Sequence, residues 1–277
     1  MAERTARAIL CPNCGKLVSA NAEECIHCGM KHPGRWHNVP LMEKLLGGKI
    51  SYVRGITVVC IALYVIALMI DPAAIFRIRG IFDILSPSAV ALYLLGMTGS
   101  VAAAEGKWWT VITAIYLHGS LLHIVFNLLW IRQLGPVVEE LFGASRFFLI
   151  FTISGIFGFL VSNAFGIRFT IGASGAVFGL LGAVVFYGRH RGGAFGTHIY
   201  RQTIQWVVIL FLLGFMMDVV NNFAHAGGFI AGYSSAMLLK YQELQPETLW
   251  HRRLALLSLA LTGFAFLMVV LSWFVSF

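Results

Sequence analysis

Seven apolar runs succeed one another along the chain, at about residues 53–70, 119–138, 147–166, 171–188, 203–221, 223–240 and 254–275. A helix needs roughly 20 residues to cross a bilayer, so this pattern predicts an all-α polytopic membrane protein. Runs two, four and six are the least uniformly apolar, since they carry His123 and Asn127, Ser174, and His225. The first fifty residues are instead polar and rich in Cys, His and Lys. No cleavable signal peptide opens the chain, and Val53–Ile70 reads as an uncleaved first span.

Composition agrees with the pattern. Of 277 residues, 58% are hydrophobic and 12% charged, against about 25% charged in soluble proteins. The placement of Lys and Arg then gives an orientation. Eight precede or open the first run, and alternate connecting segments thereafter hold two (Arg132, Arg146), three (Arg189, Arg191, Arg201) and three (Lys240, Arg252, Arg253). The other side holds Arg77, Arg79, Lys107 and Arg168. Sixteen against four puts the N-terminus in the cytoplasm and the C-terminus outside, in a bacterial-type cell membrane. The net charge of +8 is thereby a topology signal, and no basic stripe for nucleic acid is present.

In the tail, "CPNCGKLVSANAEECIHCG" sets Cys11, Cys14, Cys25 and Cys28 as two C-x-x-C pairs. Four thiolates so paired suit a closed tetrahedral zinc site. A reducing cytosolic tail disfavours disulfides, and a tail this short lacks the apolar mass to fold without metal. Gly15 and Gly29, each after a second Cys, fit tight turns whose N–H groups face sulfur; His27 and His32 are spare candidates. The expected organisation is a zinc-ribbon-like module over 1–37, a linker over 38–50, a membrane core over 51–245 and a further helix within 246–277. Structural zinc is the one cofactor expected, with none for catalysis. Cys60, mid-span, reads as a small packing residue.

Polar groups within a bilayer are costly and face the protein interior or water. His123 and Asn127 are four apart and share a helix face, with His118 about one and a half turns before them. His225 is followed by Gly228 and Gly232, a G-x-x-x-G, and Ser174 by Gly175 and Gly179, a second one. Such motifs let helix backbones approach closely. Each feature alone is accounted for by helix packing or an interhelical hydrogen bond. Together they fall toward the outer ends of spans two, four and six. A serine, a histidine base and amide or imidazole donors make a sufficient kit for acyl transfer. No acidic residue completes a triad convincingly; Asp218 lies at a plausible depth, but nothing ties it to His225.

These residues resemble the rhomboid family of intramembrane serine proteases. The resemblance rests on Gly172–Gly175 (G-x-S-G), His118–Asn127 (H-x-x-x-x-H-x-x-x-N) and Ala224–Gly232 (A-H-x-x-G-x-x-x-G), and covers about 51–245. It implies a six-helix core, Ser174 as nucleophile, His225 as general base and then acid, and an oxyanion hole of His123, Asn127 and the Ser174 N–H. It implies Gly172, Gly175, Phe178, His118, Gly228 and Gly232 as structural residues around the site, and Glu139 as a structural glutamate. The partners implied are membrane proteins with a transmembrane helix, cleaved near its outer end; a cytosolic partner for the zinc module is a further candidate. Two positions depart from the family pattern: Trp109-Thr110 stands where Trp-Arg is frequent, and Phe178 where Tyr is frequent. The rival readings are a non-catalytic scaffold that binds helices, and a transporter. A transporter expects midplane sites and inverted repeats, which the pattern lacks.

Overall fold

The computed structural model describes residues 8–11, 16–27, 29, 31–36, 51–76, 80–217 and 220–274. Cys14, Gly15, Cys28, the 38–50 linker and Asp218 lie outside the described residues.

In the tail, β1 (Ala8–Leu10) and β2 (Leu17–Ser19) pair antiparallel, with Ile9 opposite Val18. Cys11 and Cys25 are both buried, in one small cluster with Ile9 and Val18. Gly29 takes φ +71° and donates its N–H to the Cys25 carbonyl at 2.9 Å, so a tight turn follows this cysteine. His27 and His32 are exposed.

The rest is helical. The long helices are α1 (Tyr52–Ile70), α5 (Leu121–Phe142), α6 (Ala144–Ala164), α7 (Ser174–Arg191), α8 (Gly193–Phe215), α9 (Asn222–Leu239) and α10 (Leu249–Ser272). The short helices α2 (Ala89–Leu94), α3 (Ser100–Ala104) and α4 (Thr110–Thr113) lie in the long connection between α1 and α5. Among the described residues, four helices are long and apolar enough to cross a membrane by length and composition: α1, α5, α6 and α10. The other three carry glycines and polar ends, and for α7 the packing shows the reason. Every residue of α7 from Gly175 to Gly188 is buried, so this helix lies within the bundle and needs no lipid-facing surface.

α9 is clasped between α6 and α7, and glycines set the distance. A Cβ at Gly228 would strike the Gly175 carbonyl, one at Gly232 the Gly179 carbonyl, and one at Gly182 the Phe229 carbonyl. On the other side, a Cβ at Gly158 of α6 would come within 2.6 Å of the Ala224 carbonyl, and one at Gly227 within 2.9 Å of Val161. The two G-x-x-x-G motifs thus face each other, backbone on backbone.

Helix limits depart from the apolar runs at several places, and two of them bear on the site region. The fourth run, expected from 171, becomes helical only at Ser174, because Gly172 at φ +114° and the Thr98–Thr170 bridge hold the preceding residues off the helix. The fifth, expected over 203–221, is helical from Gly193 to Phe215. Its first polar turns satisfy their backbone within the helix whatever their hydropathy, and Thr197 Oγ1 adds a bond to the Gly193 carbonyl at 2.9 Å.

Arg146, counted above among the basic residues between two spans, is not a solvated flanking charge. It is 0% exposed and sits in the first turn of α6, where it donates to the carbonyls of Leu239, Lys240 and Gln245 and to Gln242 Oε1, at 2.8–3.1 Å. Nearby Glu247 Oε1 accepts the Ser145 N–H at 2.7 Å, capping α6. The Glu139 carboxylate, in the last turn of α5, faces the Val53 backbone at the start of α1. Cys60 is fully buried in the core beside Val53, Ile56 and Tyr64.

α10 packs on α6 and on the long connection. Ala265 and Val269 cluster with Trp109 and Ile112, Trp108 stacks on Phe264 at 6.4 Å, and Trp273 Nε1 donates to the Leu94 carbonyl at 2.7 Å.

Candidate active site

Ser174 is the first residue of α7, with Ala173 as its N-cap. A helix start leaves its first N–H groups without intrahelical partners and carries partial positive charge. The hydroxyl therefore stands beside free amides. Ser174 is partly exposed, whereas the α7 residues that follow are buried. The approach to it is pinned from two sides. Gly172 N–H donates to the Ala114 carbonyl at 2.9 Å, and Thr170 N–H to the Thr98 carbonyl at 2.8 Å.

His225 lies in the first turn of α9 and is 6% exposed. Its ring stacks on Phe178 with centroids 4.2 Å apart and planes 14° from parallel. Phe178 is four residues after Ser174, on the same face of α7 one turn along. The serine and the imidazole thus share one stretch of the α7–α9 contact. Ring stacking needs only the ring, and Phe178 supplies that without a hydroxyl. Nδ1 of His225 is 3.2 Å from Asn222 Oδ1. Among the described residues no hydrogen bond joins His225 to Ser174, and such bonds commonly tighten only once substrate binds.

His123 approaches from α5. Its Nδ1 accepts the Gly119 N–H at 3.3 Å, so in the neutral ring the proton sits on Nε2. A Cβ at Gly172 would lie 2.5 Å from that Nε2. The glycine is required by this ring as much as by its positive φ, and the N–H donor points at the loop entering Ser174. Asn127, expected as a second donor, gives one amide hydrogen to the His123 carbonyl at 2.9 Å; the amide has one more. His118 does not continue the helix as its spacing suggests. Ser120 caps α5, accepting the His123 N–H at 3.3 Å. His118 precedes that cap, fully buried, its ring edge-on to His123 at 5.1 Å.

Two asparagines escaped the sequence reading, Asn222 beside the His225 ring and Asn221 before it. Asn221 caps α9 by accepting the Ala224 N–H at 3.1 Å, and donates to Ser162 Oγ at 2.6 Å and Thr170 Oγ1 at 3.0 Å. It fastens the start of the His225 helix to α6 and to the segment before Ser174. A capping preference for Asn ahead of an apolar run would have marked it. Thr110, where the pattern of the resembled family has arginine, holds the long connection by other means: its Oγ1 contacts Thr98 Oγ1 at 3.0 Å and the Lys107 carbonyl at 2.7 Å. Thr98 in turn pairs with Thr170.

Comparison with known proteins gives the family. A family model described as "Rhomboid domain" matches residues 105–242. The rhomboid YdcA of Bacillus subtilis is 31% identical over 173 residues, covering 60% of this chain and 84% of its own length. The chain belongs to the rhomboid family. Rhomboid protease GluP of the same bacterium is 34% identical over 154 residues, and RHOMBOID-like protein 5 of Arabidopsis thaliana 34% over 160; each match covers 56% of this chain. The matches cover 30% of GluP and 52% of the plant protein. Family and apolar helices together make this rhomboid a multi-pass integral membrane protein.

In the tail, no three metal-ligating side chains converge among the described residues, and two of the four cysteines lie outside them. The two described ones, Cys11 and Cys25, are buried in one small cluster with Ile9 and Val18.

Proposed function

We propose that the protein is an intramembrane serine endopeptidase that hydrolyses peptide bonds at the outer end of a partner's transmembrane helix. Ser174 Oγ attacks the scissile carbonyl as His225 Nε2 takes its proton. His225 then returns that proton to the leaving amine, and water hydrolyses the acyl-enzyme with His225 again as base. The developing oxyanion is met by His123 Nε2–H, the remaining Asn127 amide hydrogen and the Ser174 N–H at the positive end of α7. A substrate helix has to unwind, since its own hydrogen bonds shield the carbonyl; small helix-breaking residues are the expected signal. The observation that supports this reading best is the His225 ring stacked on Phe178, one turn from Ser174, with His123 against Gly172 on the other side.

The architecture proposed with it is a six-helix core of α1 and α5–α9, plus α10 as a seventh span. The N-terminus lies in the cytoplasm of a bacterial-type cell, and the site opens outward. Conversion of Ser174 to Ala is expected to abolish both fluorophosphonate labelling and cleavage of a single-span reporter. A labelled or active Ser174→Ala protein would exclude the assignment, and an unlabelled wild type would leave a helix-binding scaffold in its place.

In the tail, Cys11, Cys14, Cys25 and Cys28 are proposed to hold one structural zinc, which would cross-link the hairpin, and to offer a docking module to a cytosolic partner. Metal analysis of the whole purified protein is expected to give one zinc per chain, falling to none when Cys11 and Cys14 become Ser. Equal zinc in both proteins would refute the site.

A further inference from the structure

The proposed general base has a second nitrogen, and what faces it decides whether the ring can act. An amide oxygen can only accept a hydrogen bond, and a neutral imidazole carries one N–H. The 3.2 Å contact between Asn222 Oδ1 and His225 Nδ1 therefore puts the proton on Nδ1 and leaves Nε2 as the bare base. The amide cannot be turned over freely. Its Nδ2 is directed at the Phe211 carbonyl of α8, 3.4 Å away; rotated, it would set oxygen against oxygen. Three residues on, on the same face of α8, a Cβ at Gly214 would lie 3.0 Å from Asn222 Cγ and collide with its Oδ1. α8 thus keeps a slot of amide size for this side chain.

We propose that Asn222 is a positioning residue that locks His225 in the tautomer with a free Nε2, and that α8, through Phe211 and Gly214, holds Asn222 in place. The inference rests on the reading of Ser174 and His225 as the reacting pair. When His225 takes the serine proton, the ring becomes a cation with both nitrogens protonated. Asn222 Oδ1 goes on accepting from Nδ1, and the negative end of the amide dipole faces the new charge. No proton passes to the amide. The role is that of an orienting third group filled by a neutral side chain, which is why a search for an acidic partner finds none among the described residues.

The test uses the full chain in detergent, reading fluorophosphonate labelling and reporter kcat and KM. Leucine keeps the size of Asn222 but removes the acceptor, and aspartate restores the acceptor alone. Asn222→Leu is expected to lower kcat and the labelling rate by ~10- to 100-fold, a part of the roughly 10²–10⁴-fold that proton transfer supplies, with KM within about twofold. Asn222→Asp is expected to recover most of that loss, whereas a purely structural role would make a charge there at least as damaging as leucine. Gly214→Ala, which touches neither Ser174 nor His225, is expected to slow labelling by displacing the amide, with no further loss when combined with Asn222→Leu. Folded Asn222→Leu protein that labels at the wild-type rate, or aspartate no better than leucine, would overturn the proposal while leaving the dyad standing. Wild-type protein that does not label would remove the dyad and the proposal together.

Discussion

The two ends of α9 are fixed by opposite means. Its start and middle lie on α7 through Gly228 and Gly232, each against a carbonyl of the facing helix. Its last turn is held by one long side chain, Arg146, which reaches across from α6 to the Leu239 and Lys240 carbonyls and beyond them to Gln242 and Gln245. A glycine contact has no rotamer with which to adjust, so it sets a separation to a few tenths of an ångström. An arginine fork has reach and five donors, and so satisfies carbonyls that a helix end leaves open without dictating their spacing closely. His225 belongs to the rigid end. A proposed proton transfer between groups on two helices requires that choice, because its geometry degrades with small displacements.

The comparison breaks most visibly at the glycines. Gly228→Ala puts a methyl into the Gly175 backbone, where no flexible side chain can yield, so α7 and α9 have to part. Overpacking of this kind costs about 1–3 kcal/mol, and the rigid neighbour places this site at the upper end. The expected result is a clearly lowered melting temperature in detergent, with labelling of Ser174 falling out of proportion to the folded fraction. Wild-type melting and labelling would mean that the contact is not the spacer described here.

How much of this could be read in the chain follows the same division. The glycine motifs, the run of apolar segments and the Ser174, His123 and His225 positions are local patterns, and helical periodicity turns them directly into faces. The helix limits were less legible, because apolar run and hydrogen-bonded helix are different things: α8 begins ten residues before its apolar run, and α7 three residues after. The role of Arg146 was hidden for a deeper reason. A basic residue between two spans looks like a flanking charge, and only the return of residues 239–245 to the same place turns it into a buried cap. Asn222 was missed likewise, since its partner on α8 is eleven residues upstream across a chain reversal. Side chains whose roles depend on a distant carbonyl leave no periodic trace. Thr110 shows the converse: a departure from the family pattern is filled by a threonine pair, Thr110 and Thr98, that a residue-by-residue comparison could not supply.

The other end of α9 offers the smaller and sharper test. Arg146→Met keeps much of the buried volume but removes every hydrogen bond that Arg146 gives to the α9 terminus and the turn after it. Buried acceptors left without donors cost about 1–3 kcal/mol each. Water reaching the turn between α9 and α10 offsets part of this, because Gln242 and Gln245 are not deeply buried. A loss of about 2 kcal/mol is expected, with Arg146→Lys between the two, since an ammonium supplies charge but not the fork. The labelling rate per folded molecule should stay at the wild-type value. Arg146 acts at the end of α9 opposite His225, and the glycine contacts that set the Ser174 side remain intact. A labelling rate that fell with Arg146→Met as steeply as with Gly228→Ala would show that α9 moves as one rigid rod. The division between a spacing end and an anchoring end would then be wrong.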